Sequence, residues 1–161
     1  MAASIQKMDD QVIVEFERDF PVEIDLVWRM LAENQYLQKW IADLEIETLE
    51  EGGKILFDMK DGTFEEMTIT SLSVPNVLEY TWGSDLVRFD LSPSKTGTHL
   101  IFKEIISKVT HHTPKDITGW HICLDVIDAI LSNEELPDPQ YKYNELYPMY
   151  EEKFDELTGK K

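Results

Sequence analysis

One strand followed by one long helix dominates the C-terminal half of this sequence. The strand opens with Gly97-Thr98 and continues from Leu100 to Ile106. After a short polar break, an amphipathic helix contains Gly119-Trp120. A curved sheet closed by a single helix encloses a hollow, so these two elements indicate a binding function that uses a cavity.

The residues before this helix predict an antiparallel sheet. Apolar and polar residues alternate over 12–20, which is typical of a half-buried strand. Asp61-Gly62 has the composition of a tight hairpin turn. Turn-prone residues separate the remaining predicted strands, which cover 55–60, 64–74, 77–82, 86–91 and 99–107. Strands linked by such short turns form antiparallel neighbours.

Three helical segments complete the predicted domain. Two short helices follow the first strand, after Pro21 and over 34–40. In the long helix, Thr113 is the predicted N-cap and Pro114 takes the first helical position. The apolar stripe of this helix contains Ile117, Trp120, Leu124, Ile127 and Leu131, and the face predicted to be wet contains Thr118, His121, Asp125, Asp128 and Ser132.

The chain length predicts a single domain. The 161 residues, 42% of them hydrophobic, fit one core with room for a pocket. We expect residues 1–10 to be a flexible N-terminus, 11–135 to be the folded domain, and 136–161 to be an aromatic tail that packs on it. The alternative for the tail is a contact in a homodimer.

Charge and cysteine content narrow the partners and the location. The formal net charge is −17, so the surface repels nucleic acid and anionic lipid headgroups. No run of about 18 apolar residues is present, so membrane insertion is not expected. The acidic surface is interpreted as a solvated one, with attraction of a basic protein partner as the alternative. Cys123 is the only cysteine, which favours a reducing, cytoplasmic location.

An ordered set of residues over 11–132 carries a family resemblance. It comprises Pro21 with Val27-Trp28, Trp40, Gly52-Gly53, Asp61-Gly62, Pro75 with Leu78, Tyr80 and Trp82, Gly97-Thr98 with Leu100 and Phe102, and Gly119-Trp120 with Leu124. In this order the residues resemble the START-like (SRPBCC) superfamily, in the branch named for the activator of the heat-shock-90 ATPase. The resemblance implies an α+β helix-grip fold. In that fold a curved antiparallel sheet wraps around a long C-terminal helix, and two short helices follow the first strand.

The resemblance also implies where a ligand would bind. The cavity of this fold lies between the concave face of the sheet and the inner stripe of the long helix. The expected ligand-binding residues on the helix are Trp120, Leu124 and Ile127, and those on the strands are Phe57, Tyr80, Trp82, Phe89 and Phe102. The alternative is that the same side chains fill a solid core.

Glu104 is the ninth candidate in the ligand-binding set. It lies an even number of positions from Leu100, Phe102 and Ile106, so it shares their face of the strand and its carboxyl group is directed to the interior. A buried carboxyl group without a partner has a raised pKa and can orient a ligand hydroxyl or act as an acid or base. In the alternative register, Glu104 lies in water beside Lys103.

No catalytic, metal or cofactor motif is found. His99, His111, His112 and His121 match no metal spacing, and we interpret them as solvated. The sequence has no nucleophile elbow and no phosphate-binding loop. We therefore expect no metal and no cofactor.

Three functions remain open at this point. The first is binding of a small hydrophobic molecule, lipid-like or aromatic. The second is a protein-interaction module that regulates a chaperone, as the resemblance suggests, with a possible place in stress responses. The third is a cyclase-like or hydrolase-like enzyme that uses Glu104.

Overall fold

The computed structural model describes residues 2–159 as eight strands and four helices. The strands are β1 Ser4–Met8, β2 Gln11–Phe20, β3 Leu44–Ile46, β4 Lys54–Asp58, β5 Phe64–Ser73, β6 Val77–Trp82, β7 Asp85–Ser94 and β8 Gly97–Ile106. The helices are α1 Ile24–Ala32, α2 Asn34–Leu37, α3 Thr113–Leu131 and α4 Pro139–Thr158. The predicted α+β helix-grip fold is confirmed.

All eight strands belong to one antiparallel sheet with the order β1-β2-β8-β7-β6-β5-β4-β3. Strands β3 to β8 follow one another as a meander, because each turn between them is short. Helices α1 and α2 carry the chain from β2 to the opposite edge of the sheet, where β3 begins. Strand β2 therefore pairs with β8, its neighbour in space but not in sequence.

Buried residues alternate with more exposed ones along β2 and β8, and the buried ones form the interior face of the sheet. In β8 the buried residues are Thr98, Leu100, Phe102, Glu104 and Ile106, and the residues between them are partly exposed. In β2 the buried partners include Phe16, which lies opposite Phe102. Because side chains alternate along a strand, this register directs one complete row toward α3.

Gly97-Thr98 joins the start of β8 to the start of the α1 segment. A Cβ atom at Gly97 would lie 2.7 Å from the backbone nitrogen of Val22 and would also overlap the Phe20 carbonyl oxygen. The φ angle of Gly97, +151°, is also one that side-chain-bearing residues rarely adopt. The Thr98 hydroxyl donates a hydrogen bond of 2.8 Å to the Val22 carbonyl oxygen. The close approach of the two backbones therefore requires glycine at position 97.

Helix α3 lies across the concave face of the sheet. Its apolar stripe is buried, as predicted, at Ile117, Trp120, Leu124 and Ile127. Helix α3 begins at Thr113 rather than after it, and the Thr113 hydroxyl accepts a hydrogen bond from the Thr110 backbone nitrogen. Thr113 therefore stabilises the preceding turn instead of acting as the N-cap.

The prediction that one face of α3 is wet is wrong for Thr118 and His121, which are both buried. Helix α4 covers this face with the apolar residues Leu146, Tyr150 and Phe154. His121 Nδ1 lies 2.7 Å from the Tyr150 hydroxyl, and burial lowers the pKa of His121 to about 4. The interpretation of His121 as solvated is therefore wrong as well, because a second helix covers it.

The sequence predicts a flexible segment over residues 1–10, but Ser4–Met8 form β1 and pair with Gln11–Glu15 of β2. The Ala3 backbone nitrogen also donates a hydrogen bond of 3.1 Å to the Tyr150 hydroxyl. Polar residues in β1 gave no strand pattern, because this edge strand is largely exposed and is held by backbone pairing. Residues 1, 160 and 161 of the predicted terminal segments lie outside the described residues.

Two glycine substitutions test this account of the fold. Gly97→Ala should lower the free energy of unfolding by about 2 kcal/mol or more, because backbone atoms cannot make room for the methyl group. Gly119→Ala is the matched control: nothing lies within 4 Å of its Cβ position, and alanine in a helix should stabilise by about 0.5–1 kcal/mol. Thermal unfolding measures both, with a fall of roughly 4–8 °C expected for Gly97→Ala. Equal melting temperatures for the two variants would contradict the close approach.

Candidate functional site

A cavity of about 440 Å³ opens at the end of the interior nearest the first turn of α3. Strands β4 and β5 form one side, the β6–β7 turn forms another, and the start of α3 closes the third. The residues that line it are Phe57, Met59, Glu65, Met67, Trp82, Gly83, Ser84, Asp85, His112 and Asp116.

The apolar wall of the cavity is held in place by specific contacts. The rings of Phe57 and Trp82 meet edge to face, with 6.0 Å between centroids. Trp82 Nε1 donates a hydrogen bond of 3.0 Å to Asp116 Oδ1. This bond connects the end of β6 to the first turn of α3, so the wall is formed before any ligand binds.

Glu104 lies behind this wall, on the interior face of β8. It has no exposed surface, and its cross-strand neighbours are Val14 and Val87. The register that directs Glu104 inward is therefore the correct one, and the alternative in water beside Lys103 is wrong. Within residues 2–159, neither carboxyl oxygen of Glu104 has a hydrogen-bond partner of good geometry.

The environment of Glu104 favours its neutral form. Burial is the main cause that raises the pKa of Glu104 to about 11. The Asp116 carboxyl group adds to this shift through its charge and its closeness to Glu104, and the Asp85 charge contributes less. At neutral pH, Glu104 is therefore a neutral carboxylic acid.

Two further groups behind the cavity, Tyr80 and Cys123, are also neutral. Burial raises the pKa of the Tyr80 phenol, and it raises the pKa of the Cys123 thiol to about 12, with a smaller contribution from the Asp116 charge. A protonated thiol is a poor nucleophile. These two residues therefore add no charge behind the wall.

The structure separates the nine predicted ligand-binding residues into two groups. Phe57 and Trp82 line the cavity. Four aromatic residues pack together behind it and connect with Trp82: Tyr80, Phe89, Phe102 and Trp120. Leu124 and Ile127, like Glu104, have no exposed surface. A role in ligand binding for the seven residues behind the wall stays a prediction.

Sequence reasoning missed most of the lining residues. The position of Asp116 was recognisable from the sequence, because the helix dipole favours an acidic residue in the first turn of a helix. Its second role, as acceptor of the Trp82 hydrogen bond, depends on contact between positions 34 residues apart. Met67 could have been found from the sequence, because it lies two positions before the buried Ile69 and so shares its face of β5. Asp85 and Ser84 lie in a turn, where no periodicity marks the direction of a side chain.

Within residues 2–159, no three His, Cys, Asp or Glu side chains converge into a group that could hold a metal ion. None of the helices in the same range combines the length and apolar character needed to cross a membrane.

Replacement of Glu104 should change the pH dependence of stability. Between the ordinary Glu pKa of 4.5 and the folded value of about 11, the folded protein holds one proton more than the unfolded chain, so its free energy of unfolding falls as pH rises. The fall is at most about 1.4 kcal/mol per pH unit for one proton. Glu104→Gln has no such proton, so its curve should be flatter.

Urea unfolding at several pH values between about 7 and 8.5 measures the difference, and it avoids the range where His121 titrates. The exposed Glu135→Gln is the matched control and should follow the unmodified protein. A Glu104→Gln curve parallel to that of the unmodified protein would mean that Glu104 is ionised in the fold.

Known structures share this architecture along most of the chain. A conserved protein of unknown function from Enterococcus faecalis, EF2215, superposes with a TM-score of 0.85 at 25% identity, covering 96% of this chain and 91% of that one. The protein encoded by BPP1335 from Bordetella parapertussis has a TM-score of 0.71 at 19% identity, with 94% and 90% coverage. CalU16 from Micromonospora echinospora has a TM-score of 0.67 at 16% identity, with 92% and 93% coverage. The last two likenesses concern the fold alone.

The sequence itself matches a family model. No curated protein gives a significant match. The model of the family described as "Activator of Hsp90 ATPase homolog 1-like protein" matches residues 21–132, which is more than half of the chain. This range contains β3 to β8, α1 to α3 and all the residues that line the cavity. The protein therefore belongs to the Activator of Hsp90 ATPase homolog 1-like family, within the START-like (SRPBCC) superfamily.

Proposed function

We propose that this protein binds a small hydrophobic molecule, lipid-like or aromatic, in the cavity between the sheet and the first turn of α3. The observation that carries the proposal is a cavity of about 440 Å³ with Phe57, Met59, Met67 and Trp82 in its walls. Ligand sites in proteins occupy about 300–1,000 Å³ and combine apolar walls with a few polar groups. This cavity has both properties.

The position of the cavity supports binding over catalysis. Trp82 and Asp116 hold each other across the site, so little ordering is needed when a ligand enters. The cyclase-like or hydrolase-like alternative has its candidate acid in Glu104, which lies behind the lining residues. A cytoplasmic carrier or sensor of a hydrophobic molecule needs only the cavity.

A blocking substitution tests the proposed site. Ser84 is exposed at the rim, and Ser84→Trp should fill the mouth of the cavity. We expect the neutral fluorescent probe N-phenyl-1-naphthylamine to bind the unmodified protein saturably and to bind Ser84→Trp at least about tenfold more weakly. Ser73→Trp, an exposed serine at the far end of β5, is the matched control and should leave binding unchanged. Absence of saturable binding, or equal loss in both variants, would contradict the proposal.

A second function is favoured by the exposed end of the β4–β5 hairpin. Met59 and Phe64 keep 46% and 58% of their surface exposed, although both are large apolar residues. Exposed apolar residues close together suit contact with a protein partner. The family description refers to an activator of Hsp90, so the partner proposed here is a heat-shock-90 chaperone. The net charge of −17 would favour a basic surface on that partner.

A chaperone assay tests this second function. The protein should raise the ATPase rate of a purified heat-shock-90 chaperone, and Met59→Ser with Phe64→Ser should remove most of the effect. Tyr141→Ser, at a residue that is 65% exposed on α4, is the matched control. An unchanged ATPase rate together with no complex in a pull-down would exclude chaperone regulation.

A further inference from the structure

We propose that the ligand of this cavity is an organic cation. Its protonated amine would lie against the Asp116 carboxylate at the inner end of the cavity, in front of the buried Glu104, and its apolar body would lie against Phe57, Met67 and Trp82. The inference rests on the proposed binding function and names the chemical class of the ligand.

The charged groups around the cavity favour a cation. Three carboxyl side chains line it, Glu65, Asp85 and Asp116, and the lining residues include no lysine or arginine. His112, at the rim, is the one lining residue that could carry positive charge. An anionic ligand would be repelled by these carboxylates at short range and by the net charge of −17 at long range. A cation would be attracted by both.

Glu104 provides the second, independent observation. Its carboxyl group is completely buried, lies on the interior face of β8 and has no hydrogen-bond partner within residues 2–159. The charges of the two lining residues Asp116 and Asp85 act on it, so it lies close behind the inner end of the cavity. A buried polar group without a partner is costly, and most such groups in proteins are hydrogen-bonded. A cation bound at the neighbouring Asp116 would act on Glu104 through its charge.

Asp116 has unused capacity for the same ligand. Among residues 2–159, its carboxylate receives one side-chain hydrogen bond, from Trp82 Nε1 to Oδ1. A carboxylate offers about four acceptor positions, so Oδ2 and the remaining lone pair of Oδ1 can receive donors. A primary ammonium group has three donors, which suits the free acceptor positions of Asp116 better than a single hydroxyl does.

The aromatic side chains of the wall complete the recognition. The Phe57 and Trp82 rings are perpendicular, with 6.0 Å between centroids, and both line the cavity. Aromatic faces attract cations, tryptophan most strongly, and they also pack against apolar surface. The wall therefore fits an amine that carries an aromatic or aliphatic body.

Three probes with one body and different head groups test the inference. We would titrate the protein with 4-phenylbutylamine, 4-phenylbutanol and 4-phenylbutyrate by calorimetry at neutral pH and low ionic strength. The amine should bind at least about tenfold more tightly than the alcohol, and the carboxylate should bind most weakly. Added salt should reduce the preference for the amine.

Substitutions of the two carboxyl groups locate the preference. Asp116→Asn keeps an oxygen that can accept the Trp82 hydrogen bond but removes the charge, so it should reduce the amine preference to about threefold or less while leaving alcohol binding unchanged. Glu104→Gln should weaken amine binding in the same direction. The exposed Glu135→Gln is the control and should bind all three probes as the unmodified protein does.

The outcomes separate this inference from the function on which it rests. Equal affinity for the amine and the alcohol, or tighter binding of the carboxylate, would overturn the amine inference and leave hydrophobic binding intact. If none of the three probes binds or shifts the NMR signals of Trp82 and Met67, both proposals are wrong. If Asp116→Asn does not fold, Glu104→Gln and the salt dependence of the unmodified protein decide the question.

Discussion

The packing of Trp120 against the concave face of the sheet is the contact on which the rest of the structure depends. Its ring centroid lies 4.7 Å from that of Phe102 and 4.9 Å from that of Trp82. Phe89 and Trp40 contact the same indole, at 6.1 and 6.4 Å. One side chain of α3 thus joins β6, β7, β8 and the segment after α2. Because these rings fill the middle of the interior, the open space remains at one end.

Polar groups beside α3 differ in whether they have partners. Near α4, His121 bonds with Tyr150, and Asp125 lies within ion-pair distance of Arg18 and Lys142. These groups have partners within the fold and hold α4 and β2 on α3. On β8, near the first turn of α3, Glu104 has no such partner among the residues that the structure describes. Paired groups account for their own burial, whereas an unpaired carboxyl group close behind a cavity lies where the charge of a bound ligand would act on it.

Local patterns predicted the elements well, and contacts between distant segments caused the differences. Alternation in β8 correctly placed Phe102 and Glu104 on one face, because the period of a strand is fixed by its backbone. The same reasoning failed for His121, since polarity on a helix does not reveal that a second helix covers it. It also failed for Ser4–Met8, where strand formation follows from pairing with β2 rather than from side-chain pattern.

The sequence by itself determined the family, the order of most strands and helices and the buried stripe of α3, and it showed Gly97 only as part of a turn-prone segment. The first three of these depend on local patterns, which act over a few residues, whereas the glycine is required by the approach of Phe20 and Val22 to Gly97 in the folded protein. The tertiary structure alone decided which part of the interior is filled and which is open, because that depends on how Trp120 meets rings from three strands. It also brought Asp116 and Asp85 close to Glu104, and so created the acidic inner end of the cavity. Residues distant in sequence become one site only when the sheet curves around the helix.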